Sequence, residues 1–163
     1  MIYNNIEDLK QDLQAESKFL ALDVGTKFIG LAICDPSRTI SNPLGTINRK
    51  GNKRDFPKIK EYIDLNQIEL LVIGLPIHLD GQESTISQFV RRFADNLDLF
   101  LKKEIKIILY DERYSSSSAR IFIDDNLTLK RKDSRKKTID KIAANIILET
   151  FLLEFKKMKP LHN

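Results

Sequence analysis

Only one cysteine, two histidines, six glycines and no tryptophan occur among the 163 residues of this chain. A lone thiol, Cys34, rules out an intramolecular disulfide, so a disulfide-held secreted scaffold is excluded and a reduced, cytoplasmic setting fits. Cys34 lies within an apolar run and reads as a small core residue rather than a nucleophile. His78 and His162 are distant in sequence, and without a cysteine pair the chain has no zinc-ligand spacing. No apolar run approaches the ~20 residues needed to cross a bilayer. The segment Met1 to Lys18 is polar and mixed in charge, without the apolar centre of a secretory signal. Internal repeats and low-complexity linkers are absent as well.

What is present describes one ordinary globular domain. Hydrophobic residues make up 42% and charged residues 31%, enough apolar material for a proper core. Residues 1–17 read as an N-terminal extension, 18–157 as the domain and 158–163 as a tail. The net charge of +4 is mild, but six cations, Lys130, Arg131, Lys132, Arg135, Lys136 and Lys137, fall within eight positions. Such a run is a solvated loop leading into a helix, or a phosphate-contacting patch if an active site lies beside it.

Ile2, Ile6, Leu9 and Leu13 recur at helical spacing and predict a short amphipathic helix. Lys18–Asp23 and Phe28–Cys34 read as strands, close enough in sequence to pair as an antiparallel hairpin. A third strand is expected within Thr39–Asn48. Asp55 and Pro57 mark a helix start, and Leu70–Ile73 forms a fourth strand stopped by Gly74 and Pro76. Thr85 and Gln88 suggest a capping box before a helix carrying Ile86, Phe89, Val90, Phe93, Leu97, Phe100 and Leu101. Ile105–Tyr110 is a fifth strand, and Ser115–Ser118 would cap a helix bearing Ile121, Phe122 and Ile123. A final helix holds Ile139, Ile142, Ala143, Ile146, Ile147 and Phe151. Three antiparallel strands followed by strand–helix alternation imply an α/β fold. Right-handed crossovers give a mixed five-stranded sheet of order 3-2-1-4-5, its second strand antiparallel, with helices on both faces.

Three acids stand in suggestive places. Asp23 closes the first strand, where an unpartnered carboxylate is costly to bury. Glu112 lies just past the fifth strand, and Asp140 sits in the expected first turn of the last helix. Strands one, four and five run parallel, so Asp23 and Glu112 face the same carboxyl edge about two strand spacings, roughly 10 Å, apart. The strand between them ends in Gly74, which has no side chain to block the gap. Ligands in open α/β sheets bind at such edges. Ala143 and Ala144 would let the helix bring Asp140 close. An all-oxygen donor set suits Mg²⁺ or Mn²⁺, ions that serve phosphodiester hydrolysis. Two of the acids also have a plainer reading: Asp140 as a capping residue favoured by the helix dipole, Glu112 as a surface acid paired with Arg113.

The motifs Leu22-Asp23-Val24-Gly25-Thr26-Lys27-Phe28-Ile29-Gly30, Ile73-Gly74-Leu75-Pro76, Leu79-Asp80-Gly81, Asp111-Glu112-Arg113 and Ile139-Asp140-Lys141-Ile142-Ala143-Ala144 resemble the signature set of the YqgF/RuvX family. Each is weak alone; their order and spacing, from about residue 18 to 155, are specific. The resemblance implies an RNase H-like fold related to RuvC resolvases. It also implies a metal-dependent nuclease, a hydrolase of ribosome biogenesis that processes the 5′ end of pre-16S rRNA. It places the catalytic, metal-holding acids at Asp23, Glu112 and Asp140. Candidate substrate contacts are Thr26, Lys27, His78, Arg113, Lys130, Arg131, Lys132 and Arg135. Phe28, His78 and Tyr114-Ser115-Ser116 depart from the family pattern without removing a proposed ligand.

Two further readings stand beside the rRNA nuclease. One is a Holliday junction resolvase acting on four-way DNA by the same chemistry. The other is a non-catalytic RNA- or ribosome-binding protein. All three take nucleic acid as partner, as structured RNA or branched DNA, with ribosomal particles as a further partner and no membrane. A monomer and a homodimer are both compatible with the sequence.

Overall fold

The computed structural model describes residues 1–78, 80–114 and 132–158. The expected helix at Ser115–Ile123 lies outside these residues, as do Leu79, Lys130 and Arg131. Six strands form one sheet: β1 (Ile2–Tyr3), β2 (Lys18–Val24), β3 (Phe28–Cys34), β4 (Ser41–Asn48), β5 (Ile68–Leu75) and β6 (Lys106–Asp111). Their spatial order is β1-β6-β5-β2-β3-β4. β2 pairs antiparallel with β3, and β3 with β4, while β5, β6 and β1 continue parallel to β2. The five-strand order read from sequence is therefore present, with one addition at the edge.

That addition corrects the reading of the N-terminus. Ile2 and Tyr3, expected on a helix, extend the sheet by pairing with Ile107 and Ile108. Asn5 then caps a short helix, α1 (Ile6–Gln11), accepting the Asp8 N–H through its side chain. The reason is local: the Asn5 cap ends the extended stretch, and the exposed edge of β6 offers a ladder to the two residues before it. Tyr3 donates to Asp12 at 2.6 Å, and burial together with this bond pushes its phenol up to about 12.

Helices cover both faces. On one, α2 (Asn52–Asn66) and α3 (Thr85–Phe100) bury Phe56, Ile59, Val90, Phe93 and Leu97 against Leu20, Leu22, Leu71 and Ile73 of the sheet. On the other, α1 and the long α4 (Lys132–Lys157) cover Phe19, Ala21, Ala32, Leu70, Val72 and Tyr110. The alternation along each strand follows from the two-residue period of a pleated backbone, and because both faces are covered the central strands read as continuous apolar runs. The inner stripe of α4 is Ala144, Ile147, Leu148, Phe151 and Phe155. Ile142 and Ile146, expected on it, are half-buried instead.

Three element starts differ from expectation. α2 begins at Asn52 behind Gly51, not at Asp55. Asp55 instead reaches back, accepting the Lys50 N–H at 2.9 Å and Arg49 Nε at 3.2 Å, and so ties down the approach to the helix. The capping box of α3 uses Ser84 and Ser87, one residue before the expected pair, because the Ser87 hydroxyl also donates to the Pro76 carbonyl of the preceding loop. α4 begins at Lys132, so the run 132–137 is helical rather than loop. Lysine and arginine are good helix formers, and no glycine or proline interrupts them.

Phe151 is the keystone of the α4 face. It is fully buried and meets Phe19 and Tyr110 edge-on at 6.0 and 5.4 Å between ring centres. Phe151→Ala is expected to lower stability by about 3–5 kcal/mol, the range for a large aromatic deleted from a packed core, as read by urea unfolding.

Candidate active site

The β2–β3 hairpin sets the site. β2 ends at Val24, and the Gly25 N–H donates to the Phe28 carbonyl at 2.9 Å to close the turn. Asp23 pairs directly with Gly30 of β3. Residues opposite one another across a ladder point to the same face, so the Asp23 side chain and the bare Cα of Gly30 both turn toward α4. A methyl group at Gly30 would stand 2.0 Å from the carbonyl oxygen of Asp140 and 2.9 Å from the Lys141 nitrogen. The backbone of α4 therefore rests on β3 at Asp140.

On the other flank of β2, Leu22 pairs with Ile73, which places Asp23 beside Gly74 of β5. A methyl group at Gly74 would stand 2.5 Å from Glu112 Oε1 and 2.5 Å from Ile147 Cδ1. Glu112, in a single 3₁₀ turn (Glu112–Tyr114) just past β6, thus folds its carboxylate back over β5. Across three adjacent strands the order is Glu112 over β5, Asp23 on β2, and Asp140 over β3, with strands about 4.8 Å apart. Glu112 is 8% exposed, and Asp23 and Asp140 are half-buried.

Two plainer readings do not hold. Asp140 is eight residues into α4, about 12 Å from its first residue, beyond the first turn where the dipole acts. Arg113 pairs with Asp111 rather than Glu112, its Nη2 2.6 Å from Asp111 Oδ2. Cys34 is buried, its sulfur accepts the Phe19 N–H at 3.2 Å, and burial pushes its thiol up, away from nucleophile chemistry.

The remaining candidates lie around the acids. Thr26 and Lys27 are exposed on the turn after Asp23. His78 is exposed in the loop after β5, where its carbonyl accepts the Gly81 N–H at 2.8 Å. Arg113 leans on that loop, its Nη1 3.8 Å from where a Gly81 methyl would sit. Lys132 and Arg135 fall in the opening turns of α4. Gly30 was not foreseen as a site residue; its signal was a lone glycine within an apolar strand, a mark of close backbone approach. Among the described residues no three acidic, histidine or cysteine side chains are already gathered into a metal-holding group.

A mixed sheet in this order, an antiparallel three-strand unit continued by parallel strands with helices on both faces, is the architecture of an RNase H-like fold. The chain superposes on RuvC of Thermus thermophilus, solved with a Holliday junction, with TM-score 0.54 at 12% identity, covering 89% of this chain and 99% of that one. It superposes on the yeast mitochondrial Holliday junction resolvase Ydc2 with TM-score 0.52 at 10% identity, covering 93% and 84%. These likenesses establish the fold. Residues 17–154 match the family profile RuvX, described as Holliday junction resolvase. A protein of Thermoanaerobacter pseudethanolicus named "Putative pre-16S rRNA nuclease" is 38% identical over 135 residues, 83% of this chain and 95% of that protein. A Zymomonas mobilis protein of the same name is 36% identical over 141 residues, covering 86% and 83%. The chain belongs to the RuvX family.

The two glycines differ in what a methyl would displace. At Gly30 it meets backbone, so Gly30→Ala is expected to cost about 1–3 kcal/mol or more by forcing α4 off the sheet. At Gly74 it meets the ends of two flexible side chains. Gly74→Ala is expected to keep most of its stability while displacing the Glu112 carboxylate. Urea unfolding of both variants checks the order.

Proposed function

We propose that this chain is a divalent-metal-dependent endonuclease in which Asp23, Glu112 and Asp140 hold Mg²⁺ or Mn²⁺. One observation carries the reading: Glu112, Asp23 and Asp140, from three distant segments, fall over the adjacent strands β5, β2 and β3 at the carboxyl edge of the sheet, near one another but not gathered into a closed metal-holding group among the described residues. The donor set fits such an ion, since it offers oxygen alone. Three carboxylates on one patch repel each other, and a divalent cation reverses that balance and draws them together. When bound, the ion supplies Lewis-acid stabilisation of charge on the phosphate oxygens. The carboxylates position and do not attack. Lys27 and Thr26 on the hairpin turn, His78 on the loop after β5, and Arg113 on the 3₁₀ turn that leans on that loop hold the strand on either side of the scissile phosphate. The basic run Lys130, Arg131, Lys132 and Arg135, five to ten positions before Asp140 in sequence, is the further candidate for phosphate contact.

The names of the relatives favour pre-16S rRNA as substrate; we propose further that the cut falls at its 5′ end, in the cytoplasm and on ribosomal particles. The second reading, a resolvase of four-way DNA, is favoured by the family description and by the shared fold with junction resolvases. Resolvases cut symmetrically as dimers, so a monomeric protein counts against it. No described helix is long and apolar enough to cross a membrane.

Asp23→Asn is expected to lower Mn²⁺-dependent cleavage about 1,000-fold, the equivalent of several kcal/mol of lost charge stabilisation, with the unfolding curve unchanged. Side-by-side assays on precursor rRNA and a four-way DNA junction assign the substrate. Full activity in that variant rejects the metal assignment.

A further inference from the structure

The segment 49–60 holds six cations, Arg49, Lys50, Lys53, Arg54, Lys58 and Lys60, and a single acid, Asp55. The fold sorts them. Arg49 turns inward, bonds Asp55 and the Gly25 carbonyl, and stacks on Phe89 and Phe93 at 5.1 and 5.2 Å. Asp55 is fully buried in that pairing, so it does not offset the charge outside. Lys60 pairs with Asp64. Lys50, Lys53, Arg54 and Lys58 are exposed and join no ion pair among the described residues. Elsewhere Arg91, Lys106 and Arg113 do.

Folding does not account for this placement. Lys53 and Arg54 lie in the first turn of α2, where the helix dipole disfavours cations. The patch is also continuous with the site. The Arg49 N–H donates to the Lys27 carbonyl at 2.9 Å, which sets Lys27, on the turn just past Asp23, beside Lys50. A groove of about 600 Å³ runs on from there between β4 and α2, with Asn48, Lys50, Lys58 and Tyr62 on its walls and one acid, Glu61, among them.

We infer that Lys27, Lys50, Lys53 and Arg54 form a phosphate track that carries the nucleic-acid backbone away from Asp23 across the outer, β4 edge of the sheet. This deepens the nuclease reading and rests on it for the position of the scissile bond. The chemistry recognised is a run of phosphodiesters, in RNA or in DNA. The track lies on the far side of the hairpin turn from α4, whose opening turns hold Lys132 and Arg135.

The test measures binding in an Asp23→Asn background, so that cleavage does not intrude. The probes are a fluorescein-labelled RNA hairpin with a single-stranded 5′ extension and a labelled four-way DNA junction, each titrated between 50 and 200 mM KCl. K50Q/K53Q/R54Q is compared with K102Q/K103Q/K157Q, which removes equal charge from exposed positions at the opposite end of the sheet. Circular dichroism confirms that both variants fold. The first triple is expected to weaken binding at least ~10-fold at 150 mM salt and to lower the slope of log K against log salt by about 2–3. The second is expected to match the parent. An unchanged slope in the first triple, an equal loss in the second, or no binding of either probe by the parent overturns the inference. Failure of the unaltered protein to cleave would reject the nuclease reading alone, because the binding comparison does not depend on turnover.

Discussion

The contact between the backbone of α4 and Gly30 of β3 organises this molecule. Only a residue without a Cβ admits a helix that close, since a single methyl would overlap the Asp140 carbonyl. The contact fixes how far along α4 each side chain falls. It sets Asp140 over the strand that pairs with Asp23, and one turn further it seats Ala143 and Ala144. The aromatic cluster of Phe19, Tyr110, Phe151 and Phe155 then locks the far half of the helix. One end of α4 is a packing device and the other presents chemistry.

Charge follows the same division. At the amino ends of the parallel strands, cations and acids are matched: Lys106 with Glu69, and the terminal amine with Asp98. At the carboxyl ends, Asp23, Glu112 and Asp140 fall over neighbouring strands on one face of the sheet, and the exposed cations of the β2–β3 turn and α2 lie on the other side of the hairpin turn. Apposed fields of opposite sign suit a polyanion that must be drawn in by one set of groups and bound through a cation by the other. Arg49 links the two regions. It is largely covered, stacks on aromatic rings and ties the turn after Asp23 to the start of α2.

Strand order was readable because short connections and right-handed crossovers leave few alternatives. The apolar runs of β2, β3 and β5 were legible for the reason that makes them central, burial on both faces. Element starts were less legible. Asp55 and Thr85 look like helix beginnings by residue type, yet Asp55 reaches back to Arg49 and Lys50, and Ser84 takes the cap because Ser87 is held by the Pro76 carbonyl. Ile2 carried a helical spacing that an open sheet edge overrode. In each case a partner distant in the fold, or a competing local bond, decided between two permitted conformations.

Residue types and their order along the chain determined the α/β class and the hairpin that ends on Asp23, and they singled out Asp23, Glu112 and Asp140 as candidates. Those are local or pairwise properties, set by side-chain period and by the cost of burying charge. Tertiary structure alone decided that Glu112 folds back over Gly74, and that among the cations of 49–60 Arg49 turns inward as a brace while Lys50, Lys53, Arg54 and Lys58 stay exposed. Such outcomes depend on which surfaces meet, and distances between segments far apart in sequence exist only once the chain has packed.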